Sequence, residues 1–308
     1  MEPLTDKVCF IRAKLKNDYV YNGLADAGYE INTPYVGNAL IPRIMREVWF
    51  RCNLPHKEIW FNKKNMSLSE DIIIVRDPLI TPEYLNWLRE RKPKAVIIIQ
   101  YENRASNTIN PDKARPYVNE LWSYDEQDCK EYGMKFFHPA FADNGYNNIS
   151  GPIEYDILFV GRDKGRADRL FELQKSFESL GLKVLIYICA DRKFLRFKKK
   201  YYRKLLNYDE YLKLAGKSRA ILNIMPEGQR SITQRDLEAV VYNLKEITNN
   251  RGVREFEFYD PDRFFILGED DFNKLAEFVR RDCPPVTEEM LEPFKESLVM
   301  RDMLKEYM

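Results

Sequence analysis

Short apolar runs alternate with segments of helical periodicity along most of the chain. In the first half, the runs VCFIRA, DIIIVRD, AVIIIQYEN and ELWSYD are continuous, as in strands that are buried on both faces. Between them, NALIPRIMREVWFRC and PEYLNWLRERK have the periodicity of helices, and Thr81 and Pro82 provide the second with an N-cap and a proline at its first position. The pattern predicts a parallel sheet covered by helices.

A polar segment, residues 141–156, interrupts this alternation. Its sequence, FADNGYNNISGPIEYD, has the Asn, Gly, Ser and Pro content of a linker. After it, DILFVGR, KVLIYIC, AILNIMP, EITNN and RFFIL restart the alternation of strands and helices. We therefore predict an α/β protein with two Rossmann-like domains, residues 1–150 and residues 151–285.

Composition and charge narrow the classes of function. The 308 residues are 44% hydrophobic and 31% charged, which is typical of a globular chain. The net charge is only +1, so any attraction for anions must be local. No run is apolar enough to span a bilayer, the first residues lack the pattern of a signal peptide, and five scattered cysteines form no Cys-x-x-Cys pair. These features predict a cytoplasmic protein.

The segment FVGRDKGR places positive charge at the turn between a strand and a helix. Gly161 would let a ligand approach the backbone, while Arg162 and Lys164 could reach a phosphate beside the positive end of the helix dipole. The segment matches neither the dinucleotide fingerprint nor a Walker loop. The alternative is an exposed basic turn without a ligand.

A second basic turn follows the strand that begins at Ala220. The side chains of Arg230, Thr233 and Arg235 would cluster at the N-terminus of the next helix, and Glu238, one turn further, could accept hydrogen bonds from sugar hydroxyls. The alternative assigns Thr233 to an N-cap and Glu238 to the surface. Two basic strand-to-helix turns in one domain favour an anion site over two unrelated turns.

Several segments together resemble a known family. FVGRDKGR, YDEYLKLAGKSRAILNI, PEGQRSITQRDLEAV, KEITNN and FYDPDRFFIL, in this order, resemble the C-terminal domain of GT-B glycosyltransferases of bacterial capsule and lipopolysaccharide synthesis. The resemblance extends from Asp156 to about Val279, and NELWSYDEQDCKEYGMKFFHP resembles the N-terminal domain more loosely. It implies two Rossmann-like domains facing each other across a cleft, with the nucleotide-sugar donor in the C-terminal domain and the acceptor against the N-terminal domain.

The resemblance also implies roles for individual residues. Gly161, Arg162 and Lys164 correspond to residues that contact the donor diphosphate, and Glu238 to the glutamate that contacts the ribose. In this architecture the nucleobase lies near the segment that contains Tyr208. The remaining predicted donor-binding residues belong to the PEGQRSIT segment: Gly228, Gln229, Arg230, Ser231 and Thr233.

This sequence departs from the pattern of the family in one feature. Its Glu-x7-Glu pair has Arg230 where the first glutamate would stand, and the nearest acid is Glu227. The role of Glu227 and the stereochemical class of the reaction are therefore left open.

Catalysis by such a protein requires stabilisation of a leaving nucleoside diphosphate. Arg162 and Arg235, next to helix N-termini, could stabilise its growing charge without a metal ion. If the reaction inverts the sugar, a general base is also needed near the acceptor. Asp18, Asp77 and Glu102 are the candidates, since each follows an apolar strand; surface or capping roles are the alternative.

We predict neither a metal ion nor a cofactor. The chain has only His56 and His138, which excludes a His-rich metal site. The DPD sequence at Asp260–Asp262 matches the Asp-x-Asp of metal-using transferases, but Pro261 favours a turn.

Residues 192–206 interleave cations with aromatic side chains. The stretch RKFLRFKKKYYRKLL could be a solvated helix with its aromatics packed inward, or a peripheral contact with the inner face of the cell membrane. A nucleic-acid partner is not expected, since the net charge is only +1.

The end of the chain forms a third segment. Pro284 and Pro285 prevent the preceding helix from continuing, yet residues 286–308 keep an apolar stripe. The family resemblance places the final helix on the N-terminal domain, so we predict a terminal helical tail that crosses back and packs there.

These observations predict a metal-independent glycosyltransferase. It would move a sugar from a nucleotide-sugar donor onto a growing surface glycan, which could be lipid-linked. The alternative is a non-catalytic nucleotide-sugar-binding or scaffold protein of the same pathway. The broken Glu-x7-Glu pair favours that alternative, whereas Arg162, Arg235 and Glu238 favour the enzyme.

Overall fold

The computed structural model places most of the chain in two compact units. It describes residues 7–13, 24–25, 27–37, 39–66, 71–141, 149, 151–191, 195, 197–225 and 231–307. The first unit contains the described residues up to His138 and those from Met300 onward, and the second contains Pro139–Phe141 and the described residues between 145 and Val299. No helix within the described parts is long and apolar enough to cross a membrane.

The first unit is built on a parallel sheet of six strands in the order β2-β1-β3-β4-β5-β6. The strands are β1 (Val8–Ile11), β2 (Glu30–Asn32), β3 (Ile72–Arg76), β4 (Val96–Tyr101), β5 (Glu120–Ser123) and β6 (Lys135–Phe136). The four strands predicted from apolar runs are confirmed, and the residues of β3 are all buried. The edge strands β2 and β6 are too short and too polar to give an apolar run.

Four α-helices with described bounds lie wholly in the first unit. They are α1 (Leu40–Arg51), α2 (Pro82–Arg91), α3 (Pro111–Ala114) and α4 (Glu126–Tyr132). Thr81 caps α2 as predicted, since its side chain accepts a hydrogen bond from the backbone N–H of Tyr84. Tyr84 and Leu85 are fully buried in the core with the apolar side chains of β3 and β4.

The second unit contains a parallel sheet of five strands in the order β11-β10-β9-β7-β8. They are β7 (Tyr155–Arg162), β8 (Val184–Cys189), β9 (Ser218–Asn223), β10 (Lys245–Thr248) and β11 (Phe264–Ile266), and all five were predicted. From β7 the chain passes to β8 on one side, whereas β9, β10 and β11 extend the other side. The switch point therefore lies between β7 and β9, where ligands of such sheets bind beyond the carboxyl ends of the strands.

The second unit also contains five α-helices with described bounds, three between its strands and two after the last strand. They are α5 (Ala167–Ser179), α6 (Tyr208–Ala215), α7 (Gln234–Val241), α8 (Leu275–Arg280) and α9 (Glu288–Leu291). Helix α5 buries Leu170 and Phe177 against the sheet because they lie seven residues, or about two turns, apart.

The last helix, α10 (Glu296–Leu304), carries the chain from the second unit to the first. Phe294, just before it, packs on Phe258 in the second unit, with ring centroids 5.1 Å apart. From Met300 onward the residues belong to the first unit. There the Tyr307 hydroxyl donates to Glu120 Oε1 at 2.6 Å, and Glu306 forms an ion pair with Lys135 at 2.8 Å. The tail thus begins in the core of one unit and ends on the sheet edge of the other.

Candidate functional site

The turn after β7 carries exposed cations on a tightly bent backbone. Lys164 and Gly165 both have left-handed φ angles, +48° and +77°. Asp191, which follows β8, holds the turn: its carboxylate accepts from the backbone N–H of Lys164 at 3.0 Å, and its carbonyl accepts from the guanidinium of Arg162 at 2.8 Å. The side chains of Arg162 and Lys164 are exposed beyond the carboxyl end of the sheet.

Arg166 links the ends of β7 and β9. Its guanidinium donates to the carbonyls of Ile224 and Arg162 and lies 4.9 Å from the ring centroid of Phe159. A Cβ atom at Gly161 would lie 3.1 Å from Arg166 Nη2 and 3.0 Å from the Phe159 ring. Glycine at position 161 therefore gives space to the Arg166 guanidinium and the Phe159 ring.

The start of α7 lies at the same edge of the sheet. Thr233 and Asp236 form a capping box, in which the Asp236 carboxylate accepts from the backbone N–H of Thr233 at 2.7 Å. The Asn223 side chain at the end of β9 donates to Thr233 Oγ1 at 3.3 Å. Thr233 is thus the N-cap of α7, as the alternative interpretation of the sequence predicted. Its hydroxyl already takes part in a hydrogen bond within the protein.

Arg235 connects α7 to β7. Its guanidinium donates to Glu238 Oε2 at 2.7 Å and to the carbonyl of Val160 at 3.2 Å, and it stacks 4.2 Å from the ring centroid of Tyr211. Glu238 is only 4% exposed and also accepts from the Tyr211 hydroxyl at 2.8 Å. Glu238 is therefore a buried, paired carboxylate rather than a surface charge.

Tyr208 opens α6 and adds an aromatic ring to this cluster. Asn207 caps the helix in a capping box with Glu210. The Tyr208 ring lies 5.8 Å from that of Tyr211, and its hydroxyl is 3.2 Å from the hydroxyl of Tyr242. Tyr208 is both the packed first residue of a helix and a neighbour of the Arg235–Glu238 pair.

The cations at this edge repel one another. Burial, together with the charges of Arg166 and Arg162, lowers the pKa of Lys164. Burial and the charge of Arg235 lower the pKa of Arg166. The predicted basic turns thus meet at the switch point, and a bound anion would relieve their repulsion.

Charged residues also converge at the carboxyl edge of the first sheet. Glu102 forms ion pairs with Arg76 at 2.6 Å and with Arg12 at 3.2 Å. Burial raises the pKa of Glu102, but the two guanidinium groups outweigh it and lower the pKa overall. Asp77 is fully buried and accepts from the backbone N–H of Glu102 at 2.5 Å and from Asn103 Nδ2 at 3.0 Å; burial raises its pKa to about 6.

No family model and no curated protein sequence matches the chain. Two solved structures resemble it over nearly its whole length. The apo form of the lipopolysaccharide outer core galactosyltransferase WaaB shares 14% identity with a TM-score of 0.52, covering 98% of this chain and 99% of that one. AviGT4, a glycosyltransferase involved in avilamycin A biosynthesis, shares 13% identity with a TM-score of 0.55, covering 98% and 96%. The chain has the GT-B fold. At this identity the likeness concerns the fold alone.

Sequence reasoning missed one pair of residues behind the basic edge of this GT-B chain. Asp236 and Glu246 are both fully buried, and Asn223 donates to Glu246 Oε1 at 3.0 Å. Burial and the neighbouring Asp236 raise the pKa of Glu246 well above its ordinary value, which favours its neutral form. The signal in the sequence was a glutamate within the buried strand that precedes TNN.

Five predicted site residues fall outside the described residues of the GT-B chain: Asp18, Glu227, Gly228, Gln229 and Arg230. Ser231 is described, and its carbonyl accepts from Asn250 Nδ2 at 3.2 Å. Asp260 and Asp262 form a turn, in which Asp262 makes an ion pair with Arg281. Among the described residues, no group of three or more His, Cys, Asp or Glu side chains is arranged to hold a metal ion.

Proposed function

We propose that this protein is a glycosyltransferase that moves a sugar from a nucleotide-sugar donor onto a growing surface glycan. The observation that carries the proposal is the convergence of Arg162, Lys164, Arg166 and Arg235 at the switch point between β7 and β9. A nucleoside diphosphate has the charge and the size to relieve the repulsion within such a group. The GT-B fold supports this assignment.

The donor diphosphate would lie against the turn after β7 and the start of α7. Arg162 and Lys164 are exposed there, and the side chain of Arg235 is 25% exposed although it is paired. The aromatic ring of Tyr208 would flank the nucleoside. Glu238 would act mainly by holding Arg235, because its Oε2 atom already accepts two hydrogen bonds.

The same cations would favour the bond-breaking step. As the bond between the anomeric carbon and the diphosphate breaks, the electron pair leaves with the diphosphate oxygen, and fixed cations stabilise that charge. The acceptor hydroxyl forms the new bond and releases its proton to a base. Glu102 is a weak base because two guanidinium groups stabilise its charged form, and Asp77 is fully buried, so we favour Asp18 of the three predicted candidates and leave the role of Glu227 open.

The acceptor would bind in a cavity of about 610 Å³ at the carboxyl edge of the first sheet. The cavity combines apolar and polar side chains, as carbohydrate binding requires: Leu79, Ile80, Thr81, Asn107, Thr108, Ile109, Asn110 and Lys113. Leu79 has a left-handed φ of +67°, and its carbonyl is held by the hydroxyl of Tyr35 at 2.8 Å. Such backbone strain is common at functional sites.

The scattered cysteines support a reducing compartment. No disulfide joins any two of the described cysteines. We therefore place the reaction in the cytoplasm, at the inner face of the membrane if the acceptor is lipid-linked.

A non-catalytic nucleotide-sugar-binding protein is the second candidate. It is favoured by the arginine at position 230 and by the paired state of Glu238. Both candidates bind the donor, but only the enzyme breaks its glycosidic bond.

Slow hydrolysis of the donor in the absence of acceptor separates the two. We expect one nucleotide-sugar of a panel to be hydrolysed, with and without a chelator, and Arg162→Gln to reduce the rate at least about tenfold. Arg169→Gln is the matched control, because Arg169 lies on α5 and its side chain is 62% exposed. Binding without hydrolysis of any donor, followed by no transfer to glycan acceptors, would establish the non-catalytic alternative. Absence of nucleotide binding would contradict both.

A further inference from the structure

Helix α1 exposes its apolar side chains to solvent. Twelve large apolar residues of the described chain are exposed, and eight of them fall between Val36 and Ile59. Five lie on α1: Leu40 and Ile41 are more than 70% exposed, and Ile44, Met45 and Val48 about half. With 3.6 residues per turn these five side chains form one continuous strip, which we call the apolar face of α1.

The opposite side of α1 fixes this orientation. Arg46 is buried, its guanidinium donates to the carbonyl of Val36 at 3.1 Å, and it lies 4.8 Å from the ring centroid of Tyr35. Trp49 Nε1 donates to the carbonyl of Pro55 at 2.8 Å. The helix therefore buries an arginine and exposes five aliphatic side chains, the reverse of a helix that covers a core.

The surroundings of the apolar face are basic. Residues 36–64 contain six Lys or Arg and two Glu; without the buried Arg46 their charge is +3, whereas the whole chain has a charge of +1. Arg43 and Arg51 flank the apolar face on one side of α1, and both are exposed, although Arg43 is paired with the exposed Glu47 at 3.2 Å. Aliphatic side chains beside arginines fit the interface of an anionic bilayer, in which the former enter the acyl region and the latter bind phosphates.

We propose that the apolar face of α1 docks on an anionic lipid surface. The charge argues against a second copy of the chain as the occupant, because two such segments, each of charge +3 without Arg46, would repel each other. The surface differs from the predicted contact through residues 192–206. There the rings of Tyr201 and Tyr202 pack against the core of the second unit, and Phe197 is the exposed aromatic side chain among the described residues. This proposal does not depend on the proposed function.

Flotation with lipid vesicles tests the proposal. Vesicles made of equal parts phosphatidylglycerol and phosphatidylcholine should carry the protein, and vesicles of phosphatidylcholine alone should carry much less. The variant Ile41→Ser/Ile44→Ser/Met45→Ser should lower partitioning into the vesicles at least about tenfold, because it removes apolar area that the bilayer would bury. The variant Phe197→Ser is the control and should float like the wild type.

A second variant tests the electrostatic part. Arg43→Gln/Arg51→Gln should also reduce flotation. Added salt should reduce the flotation of the wild type more than that of this variant. Its side chains are exposed, so the fold is expected to be kept, as circular dichroism would check. The proposal is overturned if the wild type stays with the soluble fraction or if the serine variant floats equally well. A dimer in light scattering that the serine variant converts to a monomer would also overturn it, in favour of a second copy.

Discussion

The pair of Arg235 and Glu238 offers the sharpest test of the site, because a structural role and a binding role make different predictions. In Arg235→Met the negative charge of the buried Glu238 carboxylate would lose its cationic partner, while the hydrogen bond from the Tyr211 hydroxyl would stay. In Arg235→Met/Glu238→Gln that charge is gone, and the amide can still accept from Tyr211. The double variant therefore repairs the fold without replacing the cation.

The expected free energies follow from burial. Removing one partner of a buried ion pair costs about 3–5 kcal/mol. The Arg235 side chain is 25% exposed, so we expect the low end, about 3 kcal/mol, for Arg235→Met. The double variant should lie within about 1 kcal/mol of the wild type, because an uncharged pair of similar volume is nearly neutral. For a unit of this size, about 3 kcal/mol corresponds to a melting temperature roughly 6–12 °C lower.

The chain provides an internal reference for this measurement. All four tryptophans, Trp49, Trp60, Trp87 and Trp122, belong to the first unit. Urea unfolding followed by circular dichroism should show the loss of stability of the second unit in Arg235→Met. Unfolding of the first unit, followed by tryptophan fluorescence, should change little. Calorimetry with UDP, GDP, ADP and TDP then measures the binding role.

We expect the double variant to unfold like the wild type but to bind the preferred nucleotide at least about tenfold more weakly, since a hydrogen bond between charged groups is worth about 1.5–3 kcal/mol. If the double variant binds as tightly as the wild type, Arg235 is structural only. If it is as unstable as Arg235→Met, the buried charge of Glu238 is not what the arginine compensates.

Three further perturbations have defined outcomes. In Glu246→Gln the amide can still accept a hydrogen bond from Asn223 and donate one to Asp236. Because folding raises the pKa of Glu246, the stability of the wild type falls as the pH rises above 4.5, the ordinary pKa of this carboxyl group. Urea titrations should therefore show a flatter pH dependence of stability in the variant. An equally steep dependence would mean that Glu246 is charged. Gly161→Ala should cost about 1 kcal/mol and weaken nucleotide binding in calorimetry, because its Cβ displaces the Arg166 guanidinium; unchanged affinity would argue against this contact. Tyr307→Phe should cost about 1 kcal/mol in the tryptophan-monitored transition by removing a hydrogen bond to a carboxylate, and no change would show that the tail contributes little.

Much of the fold could be predicted because its signals are local. Thr81 and Pro82 mark the start of α2, and the apolar runs mark nine of the eleven strands found among the described residues. The edge strands β2 and β6 were not predicted, because they are strands through pairing with one neighbour and not through an apolar run. Neither contains enough residues to show a period.

The site was only partly accessible from the sequence. The two basic turns follow strands that are adjacent in the sheet, and this adjacency comes from the strand order rather than from either turn alone. The pairing of Glu238 with Arg235 follows helical spacing, but its contact with Tyr211 joins residues that are far apart in the chain. Likewise, Glu102 follows a strand as a catalytic base would, yet its basicity depends on Arg12 and Arg76 from two other strands.

The position of the tail has a consequence for synthesis on the ribosome. Glu306 and Tyr307 contact Lys135 and Glu120, whose strands form one edge of the first sheet. These partners emerge more than 170 residues before the tail does. Domains generally fold as units during translation, starting from the N-terminus, but this sheet edge cannot make these contacts until residues 306 and 307 have been synthesised. Residues 120–136 would therefore lack these partners until then and could be held by chaperones, and termination before residue 306 would leave Glu120 and Lys135 without these contacts.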